Sequence, residues 1–226
     1  MKIKLPAVFL IVLFYTSCAG QSKNPSAPEP DFSIYESERI IEINKIIETK
    51  DGAGVNRMPN WFRSYLDGGI NEVEKLEAYR NKYTFIGINE GANADVLNKW
   101  ADNFSAFHDL PVLAAARIEN RMIAAASLYP DDEYGPFFER MIKNAYSGEY
   151  PGAVKEDTYW IKYWFENEDT WEYTESYMFF VLITIDKNAL QANIRNMMAR
   201  TFSAVTVTNV QRNSINRLRQ TFFQGF

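Results

Sequence analysis

Cysteine is almost missing from this chain: Cys18 stands alone among 226 residues. No internal disulfide can form, and no multi-cysteine metal site can be assembled. Histidine is as scarce, with His108 the only one. A histidine-based metal site or proton relay therefore has little to draw on. Basic charge is also short. Lys and Arg number 24 against 29 Asp and Glu, a net charge of −5. That balance argues against nucleic acid, whose binders need a basic face to displace counterions. After the first 15 residues no apolar run reaches the roughly 18 residues of a membrane-spanning helix.

What is present begins at the N-terminus. Lys2 and Lys4 form a short positive end, and Leu5 to Tyr15 is an apolar run of 11 residues. Small residues then lead through Thr16 and Ser17 into Cys18. A charged start, a short apolar stretch and a small-residue cleavage site predict a secretory signal over residues 1–17. The segment ending in Cys18 resembles the lipobox of bacterial lipoproteins, with Tyr15 where leucine is commonest. The resemblance implies an acylated Cys18 (palmitate among its chains), cleavage before it and anchorage in the cell envelope. Several acyl chains at one site give lasting attachment, since each buried methylene adds about 0.8 kcal/mol. Ala19, rather than aspartate, favours the outer membrane under the enterobacterial sorting rule. An ordinary cleaved signal is the plainer alternative. Loss of Lys2 and Lys4 takes the formal charge from −5 to −7.

Residues 18–31, small, polar and proline-rich, predict a lipidated flexible tether. The remaining residues 32–226 are enough for one domain with its own core. Isoleucines 34, 40, 41, 43, 46 and 47 suggest a helix over 33–49, stopped by Asp51-Gly52. Trp61, Phe62 and Tyr65 read as anchors on a short helix, with a charged helix over 70–80. Tyr83 to Ile88 is β-rich and predicts a strand. Helices are expected over 94–107, over 111–128 with Asp109 as cap, and over 131–146. Residues 154–166 alternate, with Tyr159, Ile161, Tyr163 and Phe165 on one side and Trp160, Lys162 and Trp164 on the other. Tyr173 to Ile185 is more apolar throughout and predicts a central strand. Asp186 caps a helix from about Asn188 to the end, weakened at Ser203 to Val207. The expected fold is α+β: a three-stranded antiparallel sheet with helices packed on it.

Four segments in order resemble the LPP-twenty family of envelope lipoproteins. They are Pro59-x-Trp61; the strand Tyr83 to Ile88 with Gly87 and Gly91; the alanine helix Ala114 to Met122; and Asp157-x-Tyr159-Trp160 followed by Tyr177 to Leu190. The match spans about residues 58–192. Residues 92–110 read as an insertion, and Asn120 and Arg121 stand where leucine and alanine are usual. The resemblance implies an envelope lipoprotein without a known catalytic role, some members of which assemble around the flagellar motor.

The motifs that could carry chemistry are weak. His108 sits in Phe107-His108-Asp109 and reads as a turn residue. The acidic groups Asp131-Asp132 and Glu166 to Asp169 lack the spacing of a calcium loop and read as solvated turns. Asp51-Gly52-Ala53-Gly54 and Gly87 to Gly91 lack the lysine of a phosphate loop. The strongest candidate surface is aromatic: Trp160, Trp164, Trp171, Tyr173 and Tyr177. Aromatics stack on sugars and dominate protein interfaces. They serve equally well to pack a hairpin under its own helices. The C-terminal helix, with Arg212, Arg217 and Arg219 among Asn209, Gln211, Asn213 and Asn216, is the basic end of an acidic chain. It could solvate one face or pair with an acidic neighbour. The expectation is a lipid-anchored envelope protein with a structural or protein-interaction role, self-assembling or tied to flagellar or envelope machinery. The alternative is a peptidoglycan- or glycan-binding lipoprotein using the aromatic hairpin. A hydrolase ranks third. No cofactor, metal, catalytic residue or nucleic-acid partner is expected.

Overall fold

The computed structural model describes residues 45–52, 57–166, 173–224 and 226. Cys18, the signal and tether segments, Trp171 and residues 167–169 of the expected polar turn lie outside them. The elements run β1 (Ile46–Thr49), α1 (Asn60–Lys75), β2 (Lys82–Gly91), α2 (Ala94–Asn103), α3 (Leu110–Ser127), α4 (Pro136–Tyr146), β3 (Val154–Glu166), β4 (Tyr173–Asp186), α5 (Lys187–Ser203) and α6 (Asn209–Gln224). The class is α+β. The sheet has four strands rather than three, all antiparallel, in the order β1-β3-β4-β2.

The fourth strand is β1, in a segment whose isoleucine spacing predicts helix. Residues 33–44 of that helix lie outside the described residues. Within 46–49 the β-branched pattern wins, because β3 offers a paired edge: Ile46 faces Tyr163 and Thr49 faces Ile161. A run of Ile and Thr fits a pleated, half-buried surface better than a helix when such an edge is near.

Alternation divides the sheet into two faces. Tyr83 and Phe85 of β2 share one face with Phe179, Val181, Ile183 and Ile185 of β4. Helices α2 to α6 cover it, through Leu97, Ile118, Met141, Ile194 and Phe222 among others. The opposite face carries Tyr159, Ile161, Phe180 and Leu182, and α1 lies over it through Trp61, Phe62 and Val73. The phenyl rings of Phe62 and Phe180 sit 4.7 Å apart. Trp61 Nε1 donates to Asp157 Oδ2 at 2.8 Å, fixing α1 to β3. The α1 helix breaks at Gly68-Gly69, where Gly69 adopts φ 70°; a left-handed backbone suits glycine alone among common residues.

Several local expectations are corrected. The segment Gly87 to Gly91 is strand, not loop. Gly87 is required there because Phe104 lies on the sheet: a Cβ would stand 2.3 Å from Phe104 Cζ. Asp109 precedes α3 but its carboxylate makes no cap bond to that helix; it accepts from Ser105 N at 2.7 Å instead. Residues 131–135 form the approach to α4, not its first turn. The C-terminal helix is two helices. Arg121, in a position where alanine is expected, is fully buried and donates to the carbonyls of Phe222 and Thr221 in α6.

The two layers are also joined around the edge of β2. Glu74 of α1 accepts from Arg117 Nη1 at 2.7 Å and from Nη2 at 3.1 Å. Glu74 Oε1 also accepts from Thr84 N, and Arg117 reaches Thr84 O. The guanidinium lies 4.5 Å from the Tyr83 ring centre.

Candidate interaction surface at the hairpin end

Strands β3 and β4 form a hairpin that outruns its neighbours. The last pair with β2 is Gly91–Tyr177, and β1 reaches only to the Ile46–Tyr163 pair. Beyond them lie Trp164–Glu175, Phe165–Thr174 and Glu166–Tyr173. Among the described residues no third strand flanks these pairs. Within the described residues the hairpin therefore ends as a two-stranded arm, a form marginal on its own in water; here the buried base of the same two strands supports it.

The aromatic residues line one face of this arm and grade from core to surface. Phe179 is buried. Trp160 stacks on it at 6.2 Å with an interplanar angle of 22°, and Tyr177 meets Trp160 edge-on at 6.1 Å. Both are half-buried. Trp164 is 42% exposed and Tyr173 57% exposed. Among the described residues neither of these two makes a ring contact. Four of the five residues singled out by sequence thus share one face, in two groups: Trp160 and Tyr177 pack inward, while Trp164 and Tyr173 face water. Trp171 lies outside the described residues. Among the described residues the helix-covered core reaches the hairpin as far as Trp160 and Tyr177.

Charge sits inside this stripe. Lys162 pairs with Glu175 across the strands, and its ammonium lies 5.7 Å from the Tyr177 ring centre. The carboxylate of Glu175 holds the Lys162 pKa above its ordinary value. Sequence alternation already placed Lys162 between the two tryptophans. The pairing with Glu175 needs the register, which sequence alone does not fix. On the opposite face Tyr163 Oη donates to Glu90 Oε2 at 3.2 Å, tying the arm to β2.

The other candidates resolve into structural roles. His108 is exposed, and its ring packs edge-on against Phe107 at 4.9 Å. Its backbone N–H donates to Ser105 Oγ, so Ser105, His108 and Asp109 form a turn, not a relay. Asp132 pairs with Arg217 of α6, and that guanidinium holds the Asp132 carboxyl below its usual range. Gly52, at φ 95°, closes a turn by donating to Thr49 O. Among the described residues no group of three His, Cys, Asp or Glu could hold a metal, and no helix is long and apolar enough to cross a membrane.

Comparison with family models, curated proteins and solved structures finds no match to this chain.

Proposed function

We propose that the protein is a lipid-anchored bacterial envelope protein, attached to the outer membrane through acylated Cys18, with a structural or protein-interaction role. The lipobox-like segment and the resemblance to the LPP-twenty lipoproteins support this reading. The hydrogen bond between Trp61 and Asp157, which belong to two of the four resembling segments, is consistent with it. The observation that carries the interaction role is the arm itself. Among the described residues, Trp164 and Tyr173 stand exposed beyond the last pairs with both flanking strands, with the Lys162–Glu175 pair beside them. Aromatics with a polar rim are the usual composition of an interface centre. No catalytic step is assigned, and the partner is another envelope protein or a second copy.

The same exposed rings suit a sugar face, so glycan binding is the competing reading. Photo-crosslinking residues at positions 164 and 173, introduced into the full chain in intact cells, separate the two. Crosslinks to protein bands, lost on Lys162→Glu, support the interface. Crosslinks to sacculi in their place would sink it in favour of the glycan. Metabolic labelling with a fatty acid, absent in Cys18→Ser, tests the anchor independently.

A further inference from the structure

The chain is electrostatically divided. Residues 187–226, which supply α5 and α6, hold six Lys and Arg and no Asp or Glu; residues 1–186 hold 18 basic and 29 acidic residues, a balance of −11. Within the acid-free part, a groove of about 410 Å³ opens between the two helices. Its lining is Arg195 from α5 and Asn216, Arg219, Gln220 and Phe223 from α6. The α6 residues are spaced three and four apart, so they share one face.

Arg195 is held in place. Its guanidinium lies 4.6 Å from the Phe223 ring centre and donates one bond to Gln191 Oε1 at 3.3 Å. Arg219 forms no ion pair or hydrogen bond with the described residues. The contrast with Arg217, one turn-fraction away, is instructive: it is matched by Asp132. Two guanidiniums with no acidic partner among the described residues therefore line one concavity beside two carboxamides, and such a concavity attracts anions.

We propose that this groove binds the phosphoryl group of a phosphate monoester, carried by a soluble molecule or by a lipid headgroup. A carboxylate brings one charge, which a single guanidinium fork satisfies. A phosphate monoester brings between −1.5 and −2 and three strong acceptor oxygens. That matches two guanidiniums, with the carboxamides of Asn216 and Gln220 as further donors. The groove volume exceeds a phosphoryl group, leaving room for its organic substituent against Phe223.

The test uses the full chain. Phenyl phosphate is titrated into detergent-solubilised protein. In parallel the protein is reconstituted in phosphatidylcholine vesicles with and without phosphatidic acid. Both arms read hydrogen exchange over residues 209–224. Protection by phenyl phosphate identifies a soluble ligand. Protection by phosphatidic acid alone identifies the headgroup. In either case the Arg195→Gln/Arg219→Gln variant loses at least about tenfold in affinity, the worth of one charge-assisted contact. Arg212→Gln, on α6 but outside the groove lining, keeps full affinity. Absence of protection in both arms overturns the proposal, and so does an equal loss in Arg212→Gln, which would reduce the effect to general charge attraction. Far-ultraviolet circular dichroism checks that each variant is folded.

Discussion

The base and the end of the β3–β4 hairpin are built from the same two strands and the same alternating pattern, yet they have opposite fates. At the base, Phe180 and Phe179 lie on opposite faces and both are buried, one under α1 and the other under the helix layer. At the end, Trp164 and Tyr173 continue the Phe179 face into water. Residue type does not decide between the two cases, since Trp61 and Tyr159, each with a polar atom like Trp164 and Tyr173, are buried. Among the described residues the difference lies in what runs alongside: the pairings with β1 and β2 end before the hairpin does. Burial of an aromatic is therefore a property of its neighbours' lengths, and exposure here is a consequence of topology.

That contrast can be broken or sharpened by substitution. The largest effect is expected at Phe180→Ala, which empties a site packed by Phe62 and Tyr65. Urea unfolding should show a loss of about 3–5 kcal/mol. A loss below about 1 kcal/mol would mean that the base is no better packed than the end. Next is Gly87→Ala, which drives a methyl into the Phe104 ring. About 1–3 kcal/mol should be lost, and less in a Phe104→Ala background, because the two changes share one contact.

A smaller effect belongs to Glu156, beside the register shift in β3 where Lys155 and Asp157 pair with Ile183 and Leu182. Lys82 and Thr184 donate to its carboxylate and hold its pKa below the ordinary 4.5. A carboxyl lowered in the folded state contributes stability above its unfolded pKa and loses it as pH falls through the folded value. Unfolding midpoints should therefore decline below about pH 4.5, and Glu156→Gln should flatten part of that decline. The smallest stability effect is expected at the end. Trp164→Ala and Tyr173→Ala should each stay within about 0.5 kcal/mol of the parent. They should still abolish partner crosslinking, which separates a surface for contact from a surface for folding.

How much of this was legible in the sequence differs by element. β4 was readable because its apolar run is long and ends in Asp186, whose carboxylate accepts from Asn188 N and Ala189 N. The two faces of β3 were readable from alternation alone. β1 was not, because Ile46 and Ile47 continue a helical spacing and only the β3 edge decides otherwise. Gly87 lay in the expected strand, but the need for glycine there was hidden, because the ring that demands it, Phe104, is 17 positions away. Trp160 and Tyr177 could not be told from Trp164 and Tyr173 without knowing where β2 ends. Arg195 escaped notice, although the absence of acids after Asp186 was a visible signal.

The edge of β2 leaves a further consequence. An outer strand exposes backbone groups on which a strand of another molecule can be laid. At Thr84 both the N–H and the carbonyl are already engaged, by Glu74 and Arg117. A foreign strand would have to displace a largely buried ion pair before it could bond there. On this domain the clasp that joins two layers also acts as a stopper against runaway sheet growth, leaving encounters between molecules to side chains.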